Sequence, residues 1–159
     1  MIAEMARSGP PTGTVRRVLN ALMTRVLRLG LGPPGVWLLT TRGRRTGKPH
    51  STPVSLVEDD TGRYLVAPYG TSAWVFNARA AGSVTVRRGK RSETLPITEL
   101  GAAESAPVLK RYVERERIVR PWFDAPHDGP VEAFAAEAER HPVFRLGTSA
   151  QLSAARARQ

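Results

Sequence analysis

The sequence predicts a small α+β domain, mainly β, in which five or six short antiparallel strands form a closed or half-closed barrel with helices packed on it. Three observations carry this reading. Segments with a strand's period are separated by Gly- and Asp-containing turns between residues 36 and 100. The long helical patterns fall before and after that stretch. A chain of 159 residues with 41% hydrophobic content suits a single core of modest size.

The elements follow in order. Residues 1–13 are rich in Pro and Gly and are expected to be disordered. Thr14 caps a segment whose apolar residues Val15, Val18, Leu19, Leu22, Met23, Val26 and Leu27 recur at helical spacing. Its polar side carries Arg16, Arg17, Arg25 and Arg28 with no acidic residue, and Gly30, Gly32, Pro33 and Pro34 end it. Such a helix can pack on a sheet or lie on a membrane surface. From Val36 the period becomes that of strands: VWLLTT, the turn GRRTG, KPHSTPVSLVE, a DDTG turn and RYLVAP, an antiparallel meander. SAWVFNARAAG reads as a short helix with Trp74, Val75 and Ala78 turned inward. A second hairpin spans SVTVRRGKRSETLPITEL, where Gly89 and Lys90 suit a two-residue turn with glycine first, type II′. Helices are expected over Ser105–Ile118 and Val131–Arg140, with the PWFDAPHDGP loop between them and HPVFRLG returning as a last strand. Residues 14–147 therefore form one domain, and 148–159, poor in large apolar residues, are expected to be a flexible tail.

Composition narrows the function. There is no cysteine, which excludes disulfides, thiolate metal sites and thiol nucleophiles, and three scattered histidines give no metal cluster. The 24 basic residues outnumber the 14 acidic ones for a formal charge of +10, and only Lys48, Lys90 and Lys110 of them are lysines. Arginine's planar fork favours phosphate and carboxylate partners, although an Arg-, Ala- and Gly-rich composition is also a genomic habit. The N-terminus lacks a secretory pattern and no run reaches the ~20 apolar residues that span a bilayer, so a cytoplasmic protein is expected, with peripheral membrane contact through the basic helix as an alternative.

The most informative segment is LLTTRGRRTGKPHSTPV, residues 38–54. A tight turn holding Arg42, Arg44, Arg45 and Lys48 repels itself. An anion bound by those side chains and by the amides near Gly43 and Gly47 would explain it; an ordinary solvated hairpin is the alternative. It is not a P-loop, since the Lys-Ser/Thr ending is missing and a strand follows. Pro53 is the odd residue of a good strand, because proline in a central strand removes a ladder donor and needs an edge, a bulge or a ligand.

WLLTT leading into GRRTGKPHSTP, then RYLVA, AWVFNARA and SVTVRRG, in that order from about Val36 to Leu100, resembles the deazaflavin-dependent nitroreductase family. Members are split β-barrels, flavin-reductase-like in fold, that use coenzyme F420. The resemblance implies that Arg44, Arg45 and Thr46 hold the cofactor phosphate and the start of its acidic tail, with His50 beside them where members often have arginine. It also implies that Ser51, Thr52 and Pro53 lay backbone against the deazaflavin ring. Ala67, Pro68 and Tyr69 would end the facing strand, and Ala73, Trp74 and Asn77 would begin the helix beside the ring. From the residues alone, Trp74 is core or cofactor wall, and Asn77 is a cap or solvent-facing.

The activity so implied is hydride transfer from reduced F420 to a small-molecule acceptor that is quinone-like, an enone or a nitroaromatic compound. Such chemistry needs no triad, because the cofactor carries the hydride. Tyr69 is a candidate proton donor, with His50 and solvent as alternatives. Tyr69, Trp122 and Phe123 are candidates for the acceptor pocket, with Tyr112 on the same C-terminal side, though Trp122 and Phe123 could equally pin their loop to the barrel. Monomer and homodimer are both open. The alternatives are an FMN-binding split barrel, a non-catalytic F420-binding protein, and a small basic nucleic-acid-binding barrel. The last is disfavoured by few aromatics for base stacking on the basic face, so no nucleic acid is expected.

Overall fold

The computed structural model describes residues 13–159, so the disorder expected over residues 1–13 falls, Gly13 apart, outside the described residues. Six strands form a closed antiparallel barrel: β1 (Val36–Arg42), β2 (Pro49–Asp59), β3 (Gly62–Val66), β4 (Ser83–Arg88), β5 (Arg91–Glu99) and β6 (Val143–Leu146). Around the barrel the order is β1-β2-β3-β6-β5-β4. The first three strands are the expected meander, and HPVFRLG does return as the last strand. β6 fills the gap between β3 and β5 through Leu65↔Phe144 and Thr98↔Arg145. In the β4–β5 hairpin Arg88 faces Arg91, and Gly89 has φ +60° while no non-glycine among the described residues has positive φ. Lys90 therefore has negative φ, which gives the glycine-first turn its II′ form.

Strand alternation sorts the side chains into two cores. Leu39, Leu65, Val84, Val86, Leu95 and Phe144 fill the barrel together with Val75 and Ala78 of helix α2 (Ala73–Ala81). On the outside, Tyr64, Val66 and Val143 meet Leu109, Tyr112 and Val113 of helix α3 (Ala102–Arg115) and Phe134 of helix α4 (Val131–Ala135).

Helix α1 (Thr14–Arg28) forms where its periodicity places it, yet of its apolar residues only Leu27 is buried. The β4–β5 turn anchors its C-terminal end. Gly89 N donates to Leu27 O at 2.7 Å, and a Cβ on Gly89 would come within 3.0 Å of Gly30 Cα, so the close approach favours glycine at 89, while Gly30 takes φ +78°. Arg88 donates to the carbonyls of Gly32, Pro33 and Val36 and fixes the linker. The N-terminal half of α1 reaches out from this anchor.

Three element expectations differ from the structure. α3 stops at Arg115, because Glu116 leaves helical geometry at ψ 84° and Arg120 folds back onto the carbonyls of Val113 and Glu114; residues Arg117–Trp122 continue as a 3₁₀ helix. α4 ends at Ala135, after which i→i−3 bonds such as Glu137 N to Phe134 O tighten the chain into turns. The segment after Gly147 is ordered as helix α5 (Ser149–Arg156), where Thr148 and Gln151 make a reciprocal capping box. Among the described residues no helix is long and apolar enough to cross a membrane.

Candidate functional site

The β1–β2 turn is built as a concave, cationic loop. Gly43 N donates to Lys48 O and Gly47 N to Gly43 O, both at 2.8 Å, and Gly47 takes φ +68°. A Cβ on Gly43 would lie 2.8 Å from Thr46 Oγ1 and 3.1 Å from His50 Nε2, so glycine is what lets these two side chains close on the turn. Arg44 leans on α2. Its backbone N and Nη1 donate to Asn77 Oδ1 at 3.2 and 3.3 Å, and its guanidinium lies 5.0 Å from the Phe76 ring centre. Asn77 is 4% exposed, so it is a buried brace between turn and helix, neither a cap nor a solvent-facing residue. Arg45 makes no ion pair or side-chain hydrogen bond among the described residues.

Two adjoining cavities open beside this turn. The first, about 310 Å³, is lined by the expected Arg44, Arg45, Thr46, His50, Ser51, Thr52, Ala73, Trp74 and Asn77, joined by Arg16, Gly43 and Ser72. It contains no carboxylate. The second, about 740 Å³, takes in Thr52, Pro53, Ala67, Pro68, Tyr69 and Trp74 of the expected set. Leu19, Leu22, Met23 and Val26 of α1 turn their apolar stripe toward it, with Tyr112 and Val119 on the other side. Arg16, Thr52, Ser72 and Trp74 line both cavities and form their common wall.

The backbone explains Pro53. Leu56 N donates to Gly35 O on the β1 side, so by strand alternation the main chain at Pro53 points the other way. There β3 pairs only with Leu56 to Asp59, leaving residues 49–55 as an open edge that borders the cavities. Proline removes a donor that no strand would have used. Trp74 serves both of its alternatives: it packs on Phe144 with ring centres 5.8 Å apart and walls both cavities.

Four expectations need correction. Trp122 and Phe123 do not line the larger cavity. Trp122 stands behind Tyr69 as an edge contact at 4.9 Å, and Phe123 stacks on His141 at 3.9 Å, so both pin the loop. His141 is the reason they are held there. It is 4% exposed and its ring nitrogens reach Trp122 O at 3.0 Å and Ala67 O at 3.4 Å, while buried Glu137 accepts from the Asp124 and Ala125 amides. Arg42 and Lys48 also stay outside the first cavity, since the turn directs only Arg44 and Arg45 into it.

Sequence reasoning missed Arg16, Ser72 and the apolar stripe of α1 as lining residues, whereas Tyr112, one of the aromatics of the C-terminal half expected on the acceptor side, does line the larger cavity. The helix pattern was plain; where it would lie was not. Burial raises the Tyr69 phenol above its ordinary value, partly countered by the Arg16 charge, and raises Tyr112 much further, so both hydroxyls keep their protons at neutral pH. They are available as hydrogen-bond donors.

A closed six-stranded barrel with a cationic cavity beside an apolar one is the arrangement expected of a split-barrel protein for a phosphorylated flavin-like cofactor. The model of the F420H2-dependent quinone reductase family matches residues 14–121, and the chain belongs to that family. It is an F420-dependent reductase by that membership. Similar solved structures include a domain-swapped dimer (21% identity, TM-score 0.53, 84% of this chain and 99% of the other). An F420-H2 dependent reductase, FDR-A, shares 25% identity over 71% of this chain and 94% of its own, with TM-score 0.49. The haem storage protein HutZ from Vibrio cholerae is 11% identical with TM-score 0.52, over 72% and 82%. At these identities the first and third show the fold alone. None of the curated proteins gives a significant sequence match.

The residues present fit the cofactor. The first cavity offers guanidinium groups with no competing carboxylate, as phosphate and an acidic tail require. At the common wall the Ser72 hydroxyl oxygen is buried with no protein partner.

Proposed function

We propose that the protein reduces a planar, conjugated carbonyl acceptor of the quinone type in the larger cavity. The observation that carries this is the common wall: a cationic cavity for the cofactor's anionic part adjoins an apolar one, and the reacting groups can meet only between them. When bound, the reduced deazaflavin supplies the hydride. The protein's own residues do the rest. Arg44, Arg45 and Thr46 hold the phosphate end. The open β2 edge at Ser51 to Pro53 and the Trp74 ring position the planar part. Leu19, Leu22, Met23 and Val26 give the acceptor an apolar side to rest against. Tyr69, still protonated at neutral pH, supplies a hydrogen bond or a proton at the acceptor oxygen. The family's activity toward quinones supports this acceptor class over nitroaromatic compounds and enones.

The test has two stages. Fluorescence titration with oxidised F420 should show saturable binding, and anaerobic mixing of protein, reduced F420 and 2-methyl-1,4-naphthoquinone should regenerate oxidised F420 with turnover. Binding with no turnover by any quinone would point instead to a carrier of the cofactor.

A further inference from the structure

We propose that Arg16 is a catalytic residue of this reductase, the cation that stabilises the oxyanion formed on the acceptor. This rests on the reading of the two cavities as cofactor and acceptor sites. Four residues form the wall common to both, Arg16, Thr52, Ser72 and Trp74, and Arg16 is the charged one. Among the described residues lining the acceptor cavity, the only other charged side chain is Glu116, which has the wrong sign.

The chemistry of the step calls for such a group. Hydride arrival brings one hydrogen nucleus and two electrons to a neutral conjugated carbonyl. A new bond to hydrogen forms, the π pair shifts, and a full negative charge appears on the carbonyl oxygen before a proton from Tyr69 or solvent completes the reduction. The hydrogen and both electrons would come from the reduced deazaflavin, the family's reductant, whose C–H bond breaks as it is oxidised by two electrons. A cation already in place lowers the energy of the charged state more than that of the neutral acceptor, which is the condition for speeding the step and not merely tightening binding.

The placement is independent of the turn arginines. Arg44 is committed to Asn77 and Phe76, whereas Arg16 approaches from α1, and its charge is felt at Tyr69 on the acceptor side. The apolar stripe of α1 seats the helix over the acceptor, and Arg16 sits one turn before Leu19 and Asn20. Thus one helix supplies both an apolar side of the cavity and the charge.

The experiment uses the full chain saturated with oxidised F420, which cannot turn over, and two ligands of the same ring system. These are 2-hydroxy-1,4-naphthoquinone, an anion at neutral pH that mimics the charged product, and neutral 2-methyl-1,4-naphthoquinone. Arg16→Met keeps an unbranched stem and removes the charge. It is expected to weaken the anion about tenfold, the effect of losing one charge-assisted contact, and to leave the neutral quinone within twofold. Arg16→Lys should recover part of the loss. With reduced cofactor, Arg16→Met should lower kcat about tenfold at nearly constant KM.

If both quinones weaken equally, or neither does, in a variant that still binds F420, the assignment of Arg16 is overturned and the reading of the cavities stands. If the wild type fails to bind F420, that reading falls and the inference falls with it.

Discussion

Replacing Arg45 by alanine isolates the anion-binding function of the β1–β2 turn, because Arg45 lines the first cavity and makes no ion pair or side-chain hydrogen bond among the described residues. A guanidinium about 4 Å from a phosphate is worth about 1 kcal/mol in water and about 4 kcal/mol at the effective dielectric of a protein surface. The turn is exposed but concave, so a value near the middle, about 2 kcal/mol, is expected, which is about a 30-fold rise in the Kd for F420. Stability should hardly change, within about 0.5 kcal/mol, as for surface substitutions that remove no partner. Arg44→Ala should differ. It loses a comparable contact in the cavity but also the Nη1 bond to Asn77 and the Phe76 contact, so about 0.5–1 kcal/mol of stability should go with it. Fluorescence titration at low and high salt, with urea unfolding alongside, separates the two. The wild-type affinity should fall with salt and the Arg45→Ala affinity should fall less, since one screened contact is gone. An Arg45→Ala protein that binds F420 as tightly as the wild type, or with unchanged salt dependence, would refute the turn as the phosphate site.

Further outcomes follow from the same geometry. Gly47→Ala should cost about 1–2 kcal/mol through its φ of +68° alone, since an added Cβ meets nothing within 4 Å; Gly43→Ala should instead impair F420 binding by displacing Thr46 and His50, and titration with thermal melts will tell them apart. Phe134→Ala, at a wholly buried site, should lose about 3–5 kcal/mol in urea unfolding. For His141, burial lowers the folded pKa below 6.5, opposed by the Glu137 charge, with Arg140 also facing it. The unfolded state then binds the extra proton first, so stability is present above about pH 6.5 and is lost as pH falls below it; melts of wild type and His141→Gln across that range should converge toward acid.

Much of this protein is readable from residue order. The meander, the Gly89 turn and the α2 segment are set by local period and turn chemistry, which depend on neighbours a few residues apart. The cationic cavity was legible for the same reason: Arg44, Arg45, Thr46 and His50 lie in one turn and line one cavity because the chain between them is short. Even the α5 cap was written in Thr148 and Gln151, although composition alone suggested a loose tail.

What only the tertiary structure decided is the other half of the site. Arg16 is 36 positions from Thr52 and Tyr112 is 43 from Tyr69, and no local rule relates such pairs. They meet because Gly89 holds the end of α1 against the β4–β5 turn and because β6 closes the barrel beneath α3. Trp122 and Phe123 show the converse. Aromatic side chains near a site in sequence were drawn instead to Tyr69 and His141. An apolar pattern states that a face must be covered. Whether core, cofactor or acceptor covers it depends on which surfaces the closed barrel leaves nearby.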